Sequence, residues 1–187
     1  MLRGLVEAAR GGDRVAFEEV AARHLDRCFA TAVWILRDET AAQDAVQEAM
    51  IRAWRDLPRL RDSSRFEAWV RRLLVRACYD EARRAGRHRR AQLAVRSSVG
   101  RVQADAADAI AQRDEIERVL ASLSPAHRAA VVLRHALDLS VPEVADAMGV
   151  PLGTAKSRLH HAERALRLAL DPTNASVTDA AWGGDRR

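Results

Sequence analysis

The chain has 187 residues, of which 48% are hydrophobic, 30% charged and only 4% aromatic. That is enough to bury a core in one large or two small domains, and the core must be mostly Leu, Val and Ala. No apolar run approaches the ~20 residues of a membrane span and no signal peptide is visible, so membrane insertion is excluded and a soluble, cytoplasmic protein is expected.

Leu and Ala favour helix, and long Val/Ile/Thr runs are few, so the expected fold class is all-α. The net charge is +5 and the pI about 10.4. Lys156 is the only lysine among 31 basic residues; arginine suits bidentate contact with carboxylate and phosphate. The arginines cluster between Arg65 and Arg90, and the sign reverses between Ala104 and Glu117, where Asp105, Asp108, Asp114, Glu115 and Glu117 face Arg113 alone.

In chain order, Leu2 to Arg10 reads as a short amphipathic helix ended by Gly11-Gly12. Asp13 caps a second helix to about Leu36, with Val15, Phe17, Val20, Leu25, Cys28, Ala32 and Leu36 near a 3.6 period. Thr40 is positioned to cap a third, Ala41 to Leu57, stopped by Pro58. Asp62, Ser63 and Ser64 cap a fourth, which begins near Arg65, directs Phe66, Trp69, Val70, Leu73, Leu74, Ala77 and Cys78 to a core, and ends in the basic run Arg83 to Arg90.

Residues 91–106 have no clear amphipathic period and read as a flexible linker, partly helical at its ends, between two small helical domains, 1–90 and 107–170. In the second domain the expected helices are 107–122, 125–137, 141–148 and 152–170. Ser124-Pro125 is a helix start, Ser140-x-x-Glu143 a capping box, and Gly149 a left-handed helix end. The polar tail 171–187 is expected to be disordered, with Trp182 its one large apolar residue.

Cys28 and Cys78 sit in apolar helical runs outside any CxxC pair and read as buried free thiols of a reducing compartment. His24 and Cys28 are spaced i, i+4, but two ligands do not make a zinc site. No metal or cofactor is expected. No phosphate-cradling glycine loop and no nucleophile–base constellation is present, so no catalysis is expected.

Residues 140–168 read as two helices joined by a tight turn, the pattern of a helix-turn-helix that lays its second helix in the DNA major groove. The second helix turns Ala155, Leu159, Ala162 and Leu166 inward. It leaves Thr154, Lys156, Ser157, Arg158, His160, His161 and Arg164 on or near the surface, where they can reach phosphates and base edges. The competing reading is a helical hairpin with a solvated basic face.

From about Phe17 to about Leu168 the chain resembles the extracytoplasmic-function (ECF) group of bacterial RNA polymerase sigma factors. Three blocks carry the resemblance: Asp44 to Trp54, with Gln47, Glu48 and Arg52; Phe66 to Val70 followed by Asp80 to Arg84; and Leu123 to Arg128 followed by Pro151 to Leu159. The order and spacing of the blocks make it specific. Arg76 departs from the Asn that many members carry there, and Val141-Pro142 replaces the commoner Tyr-Glu pair.

On spacing alone Asp44, Gln47, Glu48 and Arg52 read first as a solvated helix face with i, i+4 pairs such as Glu48–Arg52; the resemblance implies instead that they dock core RNA polymerase. It implies that Arg59, Arg61 and Arg65 hold phosphates of the displaced strand of a melted −10 element, with Arg76 beside them. Arg83, Arg84 and Arg87 would grip the adjacent duplex backbone. The helix 152–170 would read −35 duplex. Promoter DNA, both duplex and single-stranded, core polymerase and an anti-sigma factor are therefore the implied partners. Two rival readings stand beside it: a dimeric helix-turn-helix regulator that works without polymerase, and a scaffold or anti-sigma-like protein that never touches DNA.

Overall fold

The computed structural model describes the backbone of residues 2–96 and 118–170 and the side chains of 2–87 and 118–168. Residues 97–106 of the expected linker, the helix start expected at 107, and the tail 171–187 with Trp182 lie outside the described residues. Within them every regular element is helical.

Four helices form the first body: α1 (Leu2–Arg10), α2 (Arg14–Leu36), α3 (Glu39–Asp56) and α4 (Phe66–Arg96). Two 3₁₀ turns, Leu57–Arg59 and Ser63–Arg65, lead from α3 into α4. Asp13 accepts from the Ala16 N–H at 3.0 Å, as its place before α2 predicts. The cap of α3 is Asp38, not Thr40: its carboxylate accepts from the Ala41 N–H at 2.9 Å, and Thr40 lies inside the helix. Asp ranks at or above Thr as an N-cap, so two candidates at adjacent turns resolved toward the better acceptor. Asp62 accepts from both the N–H and the hydroxyl of Ser64 and opens the turn into α4.

Helix α4 continues through 91–96 to Arg96, past the point where the periodicity fades. Ala91-Gln-Leu-Ala-Val-Arg96 has no Gly or Pro, and intrinsic propensity carries the helix on without an amphipathic pattern. Val15, expected in the core, is 74% exposed, and Leu25 is also on the surface. Both sit off the stripe that Ala16, Phe17, Val20, Cys28, Thr31, Ala32 and Ile35 bury.

The core of this body is lined by small side chains. Ala42, Ala45, Ala49 and Ala53 of α3 are all buried to about 1% or less, which lets α3 approach α2 and α4 closely. Ile35, Leu57, Leu74, Val20, Val70 and Val75 fill the space between them.

The second body begins with α5, of which residues 118–122 are described, followed by α6 (Pro125–Val131), α7 (Val141–Met148) and α8 (Leu152–Leu170). The expected helix 125–137 divides. After Val131 it widens into a π-helical turn, Val132–Ala136, closed by Leu137 N–H donating to the Val132 carbonyl at 3.2 Å. Asp138, in the left-handed region at φ 51°, then reverses the chain into α7. The Ser140–Glu143 capping box forms as its sequence predicts. Gly149, at φ 63°, closes α7 with its own N–H on the Asp146 carbonyl, while the Val150 N–H reaches back to Ala145. A side chain there would be strained, which is why the turn between α7 and α8 holds a glycine.

The two bodies share one hydrophobic cluster, in which Leu133, Leu139, Val144 and Met148 join Ile35, Leu74 and Cys78. A smaller cluster, Leu120, Val131 and Ala162 with Leu123 and Leu166, belongs to the second body alone.

Leu57 and Leu133 are fully buried, one in each body. Leu57→Ala and Leu133→Ala should each lower unfolding stability by about 3 kcal/mol, read from urea denaturation followed by circular dichroism.

Candidate nucleic-acid interface

Asp44 and Gln47 face solvent one turn apart on α3, and Glu48 is half-buried beside them. Arg52 occupies a different position from its neighbours in the expected set. Its Nε donates to Glu48 at 2.7 Å and its Nη2 to Asp80 of α4 at 3.1 Å. Burial opposes its charge, but the two carboxylates hold the guanidinium above its ordinary value. Arg52 therefore ties α3 to α4 and orients Glu48. The same face carries Ile51, 53% exposed, and Trp54, whose ring lies 5.0 Å from that of Phe17. Neither entered the expected set. Their exposure on the stripe with Gln47 was readable from the buried alanines, which fix the opposite face.

The arginines expected at the melted strand fall into two groups. Arg59, Arg61 and Arg65 are exposed on the turns before α4. Arg76, Arg83 and Arg87 form an exposed stripe along α4, spaced i, i+7 and i+11, with Arg84 next to them. At about 1.5 Å per helical position, Arg76 lies roughly 16 Å and Arg83 roughly 27 Å along the axis from Arg65. Arg59 is 3.6 Å from Asp56, Arg84 is 3.0 Å from Glu81, and Arg83 is 4.0 Å from Asp80. Arg61, Arg65, Arg76 and Arg87 make no ion pair among the described residues, so their charge is open to an outside anion. Trp69 is half-buried with its ring 6.0 Å from Phe66, and Phe66 in turn meets His24 edge-on at 5.6 Å. That setting makes Trp69 part of the core's rim.

On α8, Ala155, Leu159 and Ala162 are buried, as the spacing predicts. Ser157, His161 and Arg164 lie along the outer face, Lys156 is exposed on one flank, and Thr154 and His160 are half-buried at its edges. Arg158 stands apart from them, turned toward α4. There it lines a groove of about 470 Å³ with Tyr79, Ala82 and Arg83 on one side and Pro125, Met148 and Gly149 on the other. The Tyr79 hydroxyl at this seam is buried with no hydrogen-bond partner among the described residues. Burial pushes it up to about 12, against the pull of the Arg158 charge nearby.

Arg128, quoted in sequence only as part of a block, is the residue sequence reasoning missed. It is 8% exposed. Its Nε donates to the Ile35 carbonyl at 2.8 Å and its Nη1 to Leu120 at 3.1 Å. A buried arginine facing carbonyls gives no signal in a pattern of charges.

Cys28 and Cys78 are buried free thiols, and burial pushes them up to about 11 and about 12. No group of three or more potential metal ligands occurs among the described residues, and no described helix is long and apolar enough to cross a membrane.

His127 opens α6 with its ring 5.9 Å from His161. Burial, then the charges of His161 and Arg158, hold its imidazole below the ordinary value. A base depressed in the folded state takes up its proton more readily when unfolded. The folded state therefore loses stability as pH falls from the ordinary imidazole value through the depressed one. His127→Asn should flatten that part of the profile, measured by urea titrations from about pH 7 to about pH 5.

Comparison with known proteins follows the same division of the chain. The family described as Sigma-70 region 2 matches residues 20–88, and that described as Sigma-70, region 4 matches residues 113–166. The ECF RNA polymerase sigma factor SigM of Mycobacterium tuberculosis is 34% identical over 173 residues, covering 92% of this chain and 86% of its own. Among solved structures, CnrH in complex with the cytosolic domain of CnrY superposes with a TM-score of 0.61 at 26% identity, over 91% of this chain and 97% of that one. The sigma factor RpoE, crystallised with the anti-sigma factor NepR from Bartonella quintana, shares the fold at a TM-score of 0.64 and 24% identity, over 82% of this chain and 96% of its own.

Proposed function

Because the chain belongs to the ECF RNA polymerase sigma factors, we propose that it binds core polymerase through the outer face of α3 and directs initiation by holding two promoter elements. The second body reads −35 duplex with α8, and the first holds the melted −10 strand. The chain itself catalyses nothing; it converts binding energy into promoter choice and strand separation.

The observation that carries this reading is the combination, in one chain, of an outward polar face on α3 and an outward polar and basic face on α8. Asp44, Gln47 and Glu48 form the first, and Ser157, His161 and Arg164 with Lys156 the second. A stand-alone regulator has no use for the first face, and a protein that ignores DNA has no use for the second. Buried Ala45, Ala49 and Ala53 are not available to a partner. A polymerase helix would meet Gln47 and Ile51 at the centre, with Asp44 and Trp54 at the ends.

The arginines sort by what they can do. Arg61 and Arg65, on turns and unpaired with any described acid, suit a flexible single strand. Arg76, Arg83 and Arg87, in a straight stripe, suit a duplex backbone, a contact that positions rather than specifies. Solved relatives are held by CnrY and by the anti-sigma factor NepR, and a protein of that kind is the proposed negative partner here.

Co-purification with core polymerase and run-off transcription from a linear promoter test the reading; a chain that does neither refutes it. Gln47→Ala with Glu48→Ala should weaken polymerase association and leave DNA contacts intact. Ile51→Asp, which desolvates a charge at the centre of the same face, should cost about 2 kcal/mol or more of that affinity, measured by fluorescence anisotropy with core enzyme. Lys156→Ala should weaken −35 duplex binding by about 1–3 kcal/mol if it meets a base edge, measured by gel shift of the holoenzyme.

A further inference from the structure

Three histidine rings gather on one side of the second body. His127 of α6 stands with its ring 5.9 Å from that of His161 on α8, and His161 in turn meets His160 edge-on at 5.9 Å. His161 is exposed on the outer face of α8, one turn from both Ser157 and Arg164. His127 is half-buried beside it and reaches that face from a different helix.

The surroundings of the His127–His161 pair are cationic. The charges that act on His127 are those of His161 and Arg158. From α4, Arg83 enters the groove that Arg158 lines with Ser124, Pro125 and Ala126. The end of α2 brings Arg37, whose charge acts on the adjacent Arg128. The acids nearby in sequence are engaged elsewhere. Glu163 meets His135 at 3.0 Å and Arg167 at 3.4 Å, and Asp146 of α7 is held by Arg72. Ser124 accepts from the backbone N–H of His127 and leaves the ring alone. Among the described residues neither His127 nor His161 pairs with an acid. Two imidazoles without a counter-charge inside the chain find one only outside it.

A backbone phosphate of DNA supplies that charge. Each imidazolium offers N–H donors, and the two non-bridging oxygens of one phosphodiester accept from one ring each in charge-assisted bonds. A phosphate held from two helices fixes the angle at which α8 enters the groove, a contact that positions without reading sequence.

We propose that His127 and His161 together clamp one backbone phosphate of the −35 duplex, and that the pair takes up protons as the duplex binds. The inference rests on the functional reading above. Without DNA, burial and the neighbouring charges oppose protonation of His127. The phosphate reverses that balance, so the bound pair keeps its protons to higher pH than the free pair. Affinity is gained as pH falls through the bound value, and the gain is complete below the free one. This is opposite in sign to the effect of His127 on folding.

The test uses holoenzyme reconstituted from the full chain and core polymerase, with a promoter duplex identified by run-off transcription. Fluorescence anisotropy reads affinity from about pH 8 to about pH 5.5. A rise of about one unit in an imidazole pKa corresponds to about tenfold in affinity. Across this range the wild type should therefore gain about tenfold or more relative to His127→Gln with His161→Gln, a ratio in which titration of the core enzyme cancels. The slope of log affinity against log salt should steepen at low pH by about 0.9 for each added phosphate contact, in the wild type and not in the double variant. His161→Arg carries its charge at every pH. It should bind more tightly than the wild type at about pH 8 and lose that advantage by about pH 5.5; since His161 is exposed, this variant decides even where the double variant folds poorly. His135→Gln, at a ring already paired with Glu163, should keep the wild-type pH response. A wild-type to His161→Arg ratio that does not change with pH overturns the clamp, as does a pH response that survives in the double variant. Either result leaves promoter binding standing. Holoenzyme that binds no promoter duplex at any pH refutes the functional reading, and the clamp falls with it.

Discussion

The buried guanidinium of Arg128 is the contact on which the arrangement of the two bodies turns. It stands where two helices end. The carbonyls of Ile35 in α2 and of Leu120 in α5 lie in last turns, where they have no intrahelical donor. Each helix end carries partial negative charge, and an arginine placed between two of them satisfies both with one side chain. Burial and the like charge of Arg37 press its pKa down, but a guanidinium stays charged in proteins. The cost of that burial is met by carbonyl dipoles alone. The same side chain thereby joins α2, α5 and α6 beside the shared hydrophobic cluster that contains Ile35.

Charge elsewhere among the described residues is divided between arginines paired with acids that hold helices together and arginines without an ion pair. Arg52 shows the first use. It bridges Glu48 and Asp80 and so aligns α3 with α4, leaving Gln47 and Asp44 as the free polar groups of that face. Arg27 and Arg71 both approach Glu67, again linking helices or turns of the same body. Arg61, Arg65, Arg76 and Arg87 show the second use. Alanine on the inward side of α3 and arginine on the outward side of α4 are two halves of one solution: small residues let the helices close up, and long ones reach beyond the surface they create.

Much of this was legible in the sequence, for identifiable reasons. Helices α1, α2, α7 and α8 follow from periodicity plus caps, and the Ser140–Glu143 box and Gly149 locate the turn between α7 and α8 because each of those residue types has a specific backbone task. The outward set on α8 followed from the inward one, Ala155, Leu159 and Ala162. Sequence patterns failed where geometry is set by tertiary contact. The choice of Asp38 over Thr40 and the widening of the helix after Val131 depend on neighbours that a periodicity argument does not weigh. The surroundings of Arg158 are likewise set by tertiary contact: a helical wheel puts it on the flank of α8, and the position of α4 adds Tyr79 and Arg83 to the groove it lines.

That position gives the unpartnered Tyr79 hydroxyl a physical meaning. A buried hydroxyl without a hydrogen bond costs free energy relative to one in water, and here the groove beside it is lined by Met148, Gly149 and Pro125 of the second body. The Arg158 guanidinium, which lines the same groove, acts against the effect of burial on that hydroxyl. Tyr79 of the first body and Arg158 of the second thus meet in one groove between the two.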